Sequence, residues 1–210
     1  MSKNALVLGV FAVLTAGLLA YIASSTAPRI AENKRAVLER ALAEVFPPQL
    51  HDNDLLAHVE AVYDPHYFGY LEPKDAYIAT QAGQVSGVVM QVAATEGYNG
   101  TLELLVGIDA SGKLTGVRVL AHKETPGLGD EVDLKKSDWV LSFDGRSLKN
   151  PAPEGWAVSK DGGAFDSFTG ATITPRAVVK GVYLALQYFQ QHKQSLLSFQ
   201  QTASQEEMSP

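Results

Sequence analysis

The chain has 210 residues, 46% of them hydrophobic, which suits one ordinary domain with an accessory segment. Its formal net charge of −6 argues against a nucleic-acid partner, since such proteins carry basic surfaces. Because the chain contains no cysteine, it forms no disulfide, thiolate zinc site or iron–sulfur cluster.

The first predicted element is an apolar run from Ala5 to Ala23. The hydrocarbon core of a bilayer is ~30 Å thick, and a helix needs about 20 residues to cross it. A cleaved signal peptide is the alternative, but its apolar region usually covers only about 7–15 residues. We therefore expect residues 5–24 to span the lipid bilayer once as a permanent anchor, after a short cytoplasmic N-terminus at residues 1–4.

The positive charges around this anchor are concentrated on its C-terminal side. Lys3 precedes the apolar run, whereas four basic residues follow it: Arg29, Lys34, Arg35 and Arg40. Counted alone, they predict that the following domain is cytoplasmic, because positive residues favour the cytoplasmic side.

A second helix is predicted from Pro28 to Phe46, with Pro47 and Pro48 ending it. Its apolar residues recur at spacings of three, four and seven: Ile30, Val37, Leu38, Leu42 and Val45. We expect residues 25–48 to form a connecting helix that packs on its own domain; packing on a partner is the alternative.

Residues His51 to Asp75 contain Pro65, Gly69 and Pro73 and predict irregular structure. Four segments rich in β-branched residues follow and predict strands: Ala76–Gln81, Val85–Ala94, Thr101–Ile108 and Leu114–His122. Turn residues at Gly97–Gly100 and Asp109–Lys113 separate the later strands, which indicates an antiparallel meander.

The last third of the chain is predicted as a loop followed by a long helix. Residues Thr125 to Pro153 indicate loop, with a short helix near Leu134–Leu141. A helix is predicted from Thr174 to His192, with Thr174 as its N-cap, and a flexible tail at residues 193–210. The expected fold class is α+β: a transmembrane helix, then a single domain at residues 49–192 with a mainly antiparallel sheet and flanking helices.

The candidate site lies in Asp166-Ser167-Phe168-Thr169-Gly170-Ala171-Thr172, directly before the last helix. The first turn of a helix offers unpaired N–H groups and the positive end of its dipole to an anion. Gly170 and Ala171 have little side chain, so a phosphate can approach the backbone closely. From the residues alone, the segment is either a phosphate-binding turn or a tight turn with two capping threonines.

This segment resembles the D-x-x-[S/T]-G-A-T signature of FMN-binding domains that carry their flavin on threonine. The matching positions are Asp166, Thr169, Gly170, Ala171 and Thr172. The stretch from Ala121 to Asp130 resembles the H-x-E-T-P-G-L-G motif of the same domain and follows a predicted strand. The resemblance extends from about Gly97 to Tyr188, and the family it indicates is the G subunit of the Rnf (or Rsx) ion-translocating oxidoreductase complex.

The resemblance implies that FMN is bound through its phosphate to Thr172 by a periplasmic flavin transferase that uses FAD as donor. Thr169, Gly170 and Ala171 would complete the cofactor-binding turn, and Asp166 would serve recognition by the transferase or hold the metal-assisted donor. Glu124, Thr125 and Leu128 would line the flavin; a purely structural turn locked by Pro126 is the alternative. No residue is expected to be catalytic, His122 included, and none to hold a resident metal.

The implied function is that of a redox subunit without independent catalytic activity, in a complex that couples ferredoxin–NAD electron transfer to ion transport. Its partners would be the other membrane subunits and the flavin transferase. The domain would face the periplasm from the bacterial inner membrane, against the count of positive charges. The alternatives are a component like the C subunit of the Na+-translocating NADH:quinone reductase, or a non-redox assembly module. A hydrolase is disfavoured because the sequence has neither a G-x-S-x-G nor an H-E-x-x-H motif.

Overall fold

The computed structural model describes residues 2–198, and the chain forms two compact units. The first unit ends at Glu39 and the second begins at Arg40. The predicted tail at residues 193–210 falls largely outside the described residues, which end at Ser198.

Helix α1 runs without interruption from Ser2 to Val45. The two N-terminal helices predicted from the sequence are therefore one, and Pro28 lies inside it. A proline removes one backbone hydrogen bond from a helix and often ends it, but α1 continues through this position. The N-terminal part of α1 is exposed and apolar, and within residues 2–198 it is the one helix long and apolar enough to cross a membrane.

The second unit is built on a five-stranded antiparallel sheet in which each strand pairs with the next along the chain. The strands are β1 (Val59–Val62), β2 (Lys74–Gln81), β3 (Gln84–Ala94), β4 (Leu102–Asp109) and β5 (Leu114–Ala121). The four predicted strands and the expected α+β class are confirmed.

Strand β1 and the one-turn helix α2 (Pro65–Phe68) occupy the segment that was predicted to be irregular. Strand β1 has only four residues and is held by pairing with β2, where Val59 lies opposite Tyr77. So short a strand has no usable alternation, and its partner is distant in sequence.

Helix α3 runs from Ile173 to Ser198 and packs on β3 and β4. Its predicted apolar face is buried, at Val178, Val182, Ala185 and Phe189. The predicted end at His192 is wrong, because Leu196 is 3% exposed and extends the buried face by another turn.

The predicted N-cap is also wrong. The Arg176 N–H donates to the Thr172 carbonyl oxygen at 3.4 Å, which places Thr172 at the cap and Thr174 inside the first turn. The short helix expected near Leu134–Leu141 is replaced by two 3₁₀ helices, Gly129–Val132 and Asp138–Phe143.

The end of α1 packs on the face of the sheet that lies opposite to α3. Val45 and Phe46 are 0% exposed there, and they pack over three strand glycines that we call the glycine patch: Gly87, Gly107 and Gly116. A Cβ atom at Gly87 would lie 2.5 Å from the Phe46 ring. Arg118 on β5 also pairs with Glu44, its Nε lying 2.8 Å from a carboxylate oxygen. Of the predicted connecting helix, the end therefore packs on its own domain, whereas Ile30 and Val37 of its predicted apolar face are each 51% exposed.

Candidate functional site

The segment before α3 forms a tight turn anchored on aromatic side chains. The Ala171 N–H donates to the Phe168 carbonyl oxygen at 3.3 Å, and Gly170 takes a φ of +80° within the turn. That backbone conformation costs glycine little. The Phe168 ring is buried against Trp139, with ring centroids 5.1 Å apart, and the Trp139 indole N–H donates to the Asp166 carbonyl oxygen at 2.8 Å. The contacts of Phe168 and Asp166 with Trp139 therefore hold the turn on the domain, while Thr169 and Gly170 are exposed to solvent.

A buried carboxylate joins this turn to two other parts of the domain. Glu124 is 6% exposed, and its Oε2 accepts a hydrogen bond of 2.7 Å from the Thr174 hydroxyl. Its Oε1 accepts from the Asn99 backbone N–H at 3.1 Å. We call Glu124, Asn99 and Thr174 the Glu124 cluster. It fixes the β3–β4 loop, the segment after β5 and the start of α3 to one another.

The predicted E-T-P-G-L-G stretch is itself a closed turn. The Leu128 N–H donates to the Thr125 carbonyl oxygen at 3.1 Å, and the Gly127 N–H donates to Asp130 Oδ1 at 2.6 Å. Gly127 has a φ of +78°. These bonds support a structural role for the turn without excluding contact with a ligand, because Thr125 and Leu128 also face a pocket.

That pocket has a volume of about 170 Å³ and lies between the E-T-P-G-L-G turn and the start of α3. Ten residues line it: Tyr98, Glu124, Thr125, Leu128, Gly129, Gly170, Ala171, Thr172, Ile173 and Thr174. Six predicted site residues, from two segments far apart in the sequence, are thus brought together. The other two, Asp166 and Thr169, are exposed and lie outside the lining.

The sequence analysis did not identify Tyr98 or Ile173 as site residues. Both are large side chains that remain exposed, Tyr98 at 69% and Ile173 at 45%. Tyr98 was missed because the glycines around it predicted only a turn between strands. Ile173 was missed because it precedes Thr174, which was predicted to be the N-cap. Together with Leu128, which is 44% exposed, they offer flat apolar surface for a ring.

Three threonines line this pocket: Thr125, Thr172 and Thr174. Within the described residues, two of them use their hydroxyl oxygen in a hydrogen bond to another side chain. Thr174 is fully buried and donates to Glu124, and Thr125 Oγ1 accepts from Asn99 Nδ2 at 2.9 Å. Thr172 is half-buried, lines the pocket, and makes no side-chain hydrogen bond within residues 2–198. Thr172 is therefore the lining threonine whose hydroxyl contacts no other side chain in this part of the chain.

The cationic side chain in the first turn of α3 is already paired. Arg176 holds Asp161 in a two-pronged ion pair, with N···O distances of 2.5 and 2.6 Å. The hydrogen bonds from Arg176 hold the pKa of Asp161 below its usual value. The helix start itself can offset the charge of a phosphodiester by roughly 0.3–1 kcal/mol. A free hydroxyl, a small-residue turn, a helix N-terminus and exposed apolar side chains all fit FMN.

Fold and site together define a membrane-anchored FMN-binding protein: residues 97–187 match the model of the FMN-binding domain, and residues 1–45 match that of the RnfG N-terminal region. The chain is 50% identical to the G subunit of the ion-translocating oxidoreductase complex from Pseudomonas aeruginosa strain PAO1, over 98% of this chain and 96% of that protein. The corresponding protein of Vibrio cholerae is 46% identical, with 92% of each chain covered. The chain therefore belongs to the family of G subunits of the ion-translocating oxidoreductase complex, and FMN as its cofactor is confirmed.

A crystal structure of NqrC from Shewanella oneidensis is also similar, at 20% identity and a TM-score of 0.47. The similar region covers 70% of this chain and 72% of that one. Similarity at this level carries no function across.

Proposed function

We propose that this chain is the electron-carrying flavoprotein subunit of a membrane-bound Rnf-type complex, with FMN attached through a phosphoester to Thr172. Its partners are the other membrane subunits of that complex, a periplasmic flavin transferase and the lipid bilayer. The observation that carries the proposal is the free hydroxyl of Thr172 in the pocket of an FMN-binding domain. When bound, FMN supplies hydride and single-electron chemistry, and the protein supplies position and electrostatics.

Attachment from FAD is a phosphoryl transfer that balances without an oxidant. A bond forms between Thr172 Oγ1 and the flavin phosphorus, the pyrophosphate bond of FAD breaks, and AMP leaves while the hydroxyl proton is released. Gly170 and Ala171 leave room for the incoming phosphate. Asp166 and Thr169 are exposed beside the pocket, where a transferase can contact them. A covalent bond prevents loss of the flavin by dissociation.

The residues across the pocket then position the ring. Tyr98, Leu128 and Ile173 present exposed apolar surface that a flavin would cover. The Glu124 cluster holds the two sides of the pocket at a fixed separation, since it joins the helix start to the loop that carries Tyr98.

Peptide mapping tests the attachment site. Trypsin should release the peptide from Asp161 to Arg176, because Lys160 and Arg176 flank it. In protein co-expressed with a flavin transferase, we expect this peptide to gain the mass of FMN minus water, and fragmentation should place the gain on Thr172. Protein made without the transferase is the control and should yield the unmodified peptide. An unmodified peptide in both samples would refute the covalent assignment.

We further propose that the FMN domain faces the periplasm from the bacterial inner membrane. The basic residues after the anchor argue for the opposite side, but Glu32 and Glu39 lie among them, and the charge rule is a bias. A donor outside the cytoplasm requires the acceptor threonine on the same side.

Because the chain has no cysteine, single cysteines report the orientation cleanly. Glu154 is exposed on the domain, and Asn4 is exposed near the start of α1. In cells with a permeabilised outer membrane, Glu154→Cys should react with a membrane-impermeant maleimide, whereas Asn4→Cys should react only after lysis. Labelling in the reverse order would place the domain in the cytoplasm.

A further inference from the structure

Glu124 is a carboxylate in the pocket wall that has no cationic partner among the described residues. Both of its oxygens accept hydrogen bonds from neutral donors, Asn99 N–H and Thr174 O–H. Within residues 2–198, the ion pairs of the domain involve other carboxylates: Glu44, Asp130, Asp161 and Glu96. In the described part of the chain, Glu124 therefore meets no ion-pair partner, and the groups that contact its carboxyl oxygens are the neutral dipoles of Asn99 and Thr174.

The last glycine of the E-T-P-G-L-G turn, Gly129, leaves space for this carboxylate. A Cβ atom at Gly129 would lie 2.6 Å from Glu124 Oε2 and 2.9 Å from Thr174 Oγ1. Glycine at this position therefore serves the Glu124 cluster, in addition to any access it gives to a ring. Because Glu124 is 6% exposed, water screens its charge poorly, and the charge acts on whatever fills the pocket.

We propose that the charge of Glu124 lowers the reduction potential of the bound FMN. The inference rests on the proposed function, since it requires the flavin to lie in this pocket. Each electron that a flavin accepts without a proton adds one negative charge, and a fixed negative charge nearby disfavours that addition. Glu124 is thus a positioning and tuning residue that makes the reduced flavin a stronger electron donor.

Three variants of the full-length, flavin-loaded protein separate charge from shape. Glu124→Gln removes the charge at nearly constant size. Thr174→Val keeps the charge and removes one hydrogen bond to it. Glu154→Gln makes the same change in net charge at an exposed residue outside the pocket lining. The midpoint potential of each is measured by spectroelectrochemical titration in detergent.

We expect the potential of Glu124→Gln to shift to more positive values, that of Glu154→Gln to equal the wild type, and that of Thr174→Val to move less than that of Glu124→Gln. An unchanged or more negative potential in Glu124→Gln overturns the inference. An equal positive shift in the potential of Thr174→Val also overturns it, because the effect would then come from the lost hydrogen bond and not from the charge. A folded Glu124→Gln protein that takes up no flavin overturns it as well. Wild-type protein without covalent flavin would instead refute the proposed function, and a denaturing gel viewed under ultraviolet light reports this before any titration.

Discussion

Replacing Thr172 with valine is expected to abolish covalent flavin while the domain stays folded. Valine keeps the shape of threonine and lacks only the hydroxyl that the phosphoester requires. The Thr172 hydroxyl makes no side-chain hydrogen bond within residues 2–198, so its removal should leave the thermal midpoint close to that of the wild type. The measurement is flavin fluorescence of the band on a denaturing gel, bright for the wild type and dark for the variant.

Thr174→Val is the matched control, because it removes a hydroxyl only two residues away. It should keep the fluorescent band but lose about 1–3 kcal/mol of stability, since Glu124 Oε2 is left buried without its donor. The opposite pattern, a dark Thr174→Val and a bright Thr172→Val, would show that the attachment site is wrongly assigned.

The Thr172→Val protein also separates an electron carrier from an assembly module. If electrons pass through the flavin on this chain, a complex assembled with the variant should lose electron transfer although all subunits are present. Electron transfer that continues at the wild-type rate would favour the assembly role.

Replacing Gly107 with valine is expected to destabilise the domain by about 1–3 kcal/mol, the usual cost of overpacking a core. A Cβ atom at Gly107 would lie 2.6 Å from Val45 Cγ1 and 3.0 Å from the Val45 carbonyl oxygen. Gly116 lies directly opposite Gly107 on β5, and a Cβ atom there would lie 3.1 Å from Val45 Cα, so the end of α1 lies close to both strands.

The unfolding of this variant can be followed by intrinsic fluorescence of the full-length chain in detergent. Its two tryptophans, Trp139 and Trp156, are both buried in the domain and therefore report domain unfolding. Gly181→Ala is the matched control: its added Cβ would lie 3.5 Å from its nearest neighbours, an ordinary contact. Alanine is favoured over glycine in a helix by roughly 0.8–1 kcal/mol, so this variant should gain stability. Equal stabilities of Gly107→Val and the wild type would contradict the packing of α1 on the glycine patch.

Local patterns in the sequence predicted the regular elements well where the pattern was long. Strands β2 to β5 were recognised from runs of β-branched residues bounded by turn residues, and α3 from its helical spacing of apolar residues. The prediction failed where local signals were short or ambiguous. Strand β1 has four residues, and Pro28 indicated a helix start although α1 continues through it.

The sequence by itself determined the long apolar helix at the N-terminus, the meander and the short motif that holds Thr172, because each depends on residues adjacent or regularly spaced along the chain. Only the tertiary structure decided what Thr174 does. Its hydroxyl binds Glu124, 50 positions away, and this contact makes it a buried donor and leaves Thr172 as the free hydroxyl in the described part of the pocket. Tyr98 and Ile173 became visible as pocket residues for the same reason: distant segments meet only when the sheet and α3 have packed.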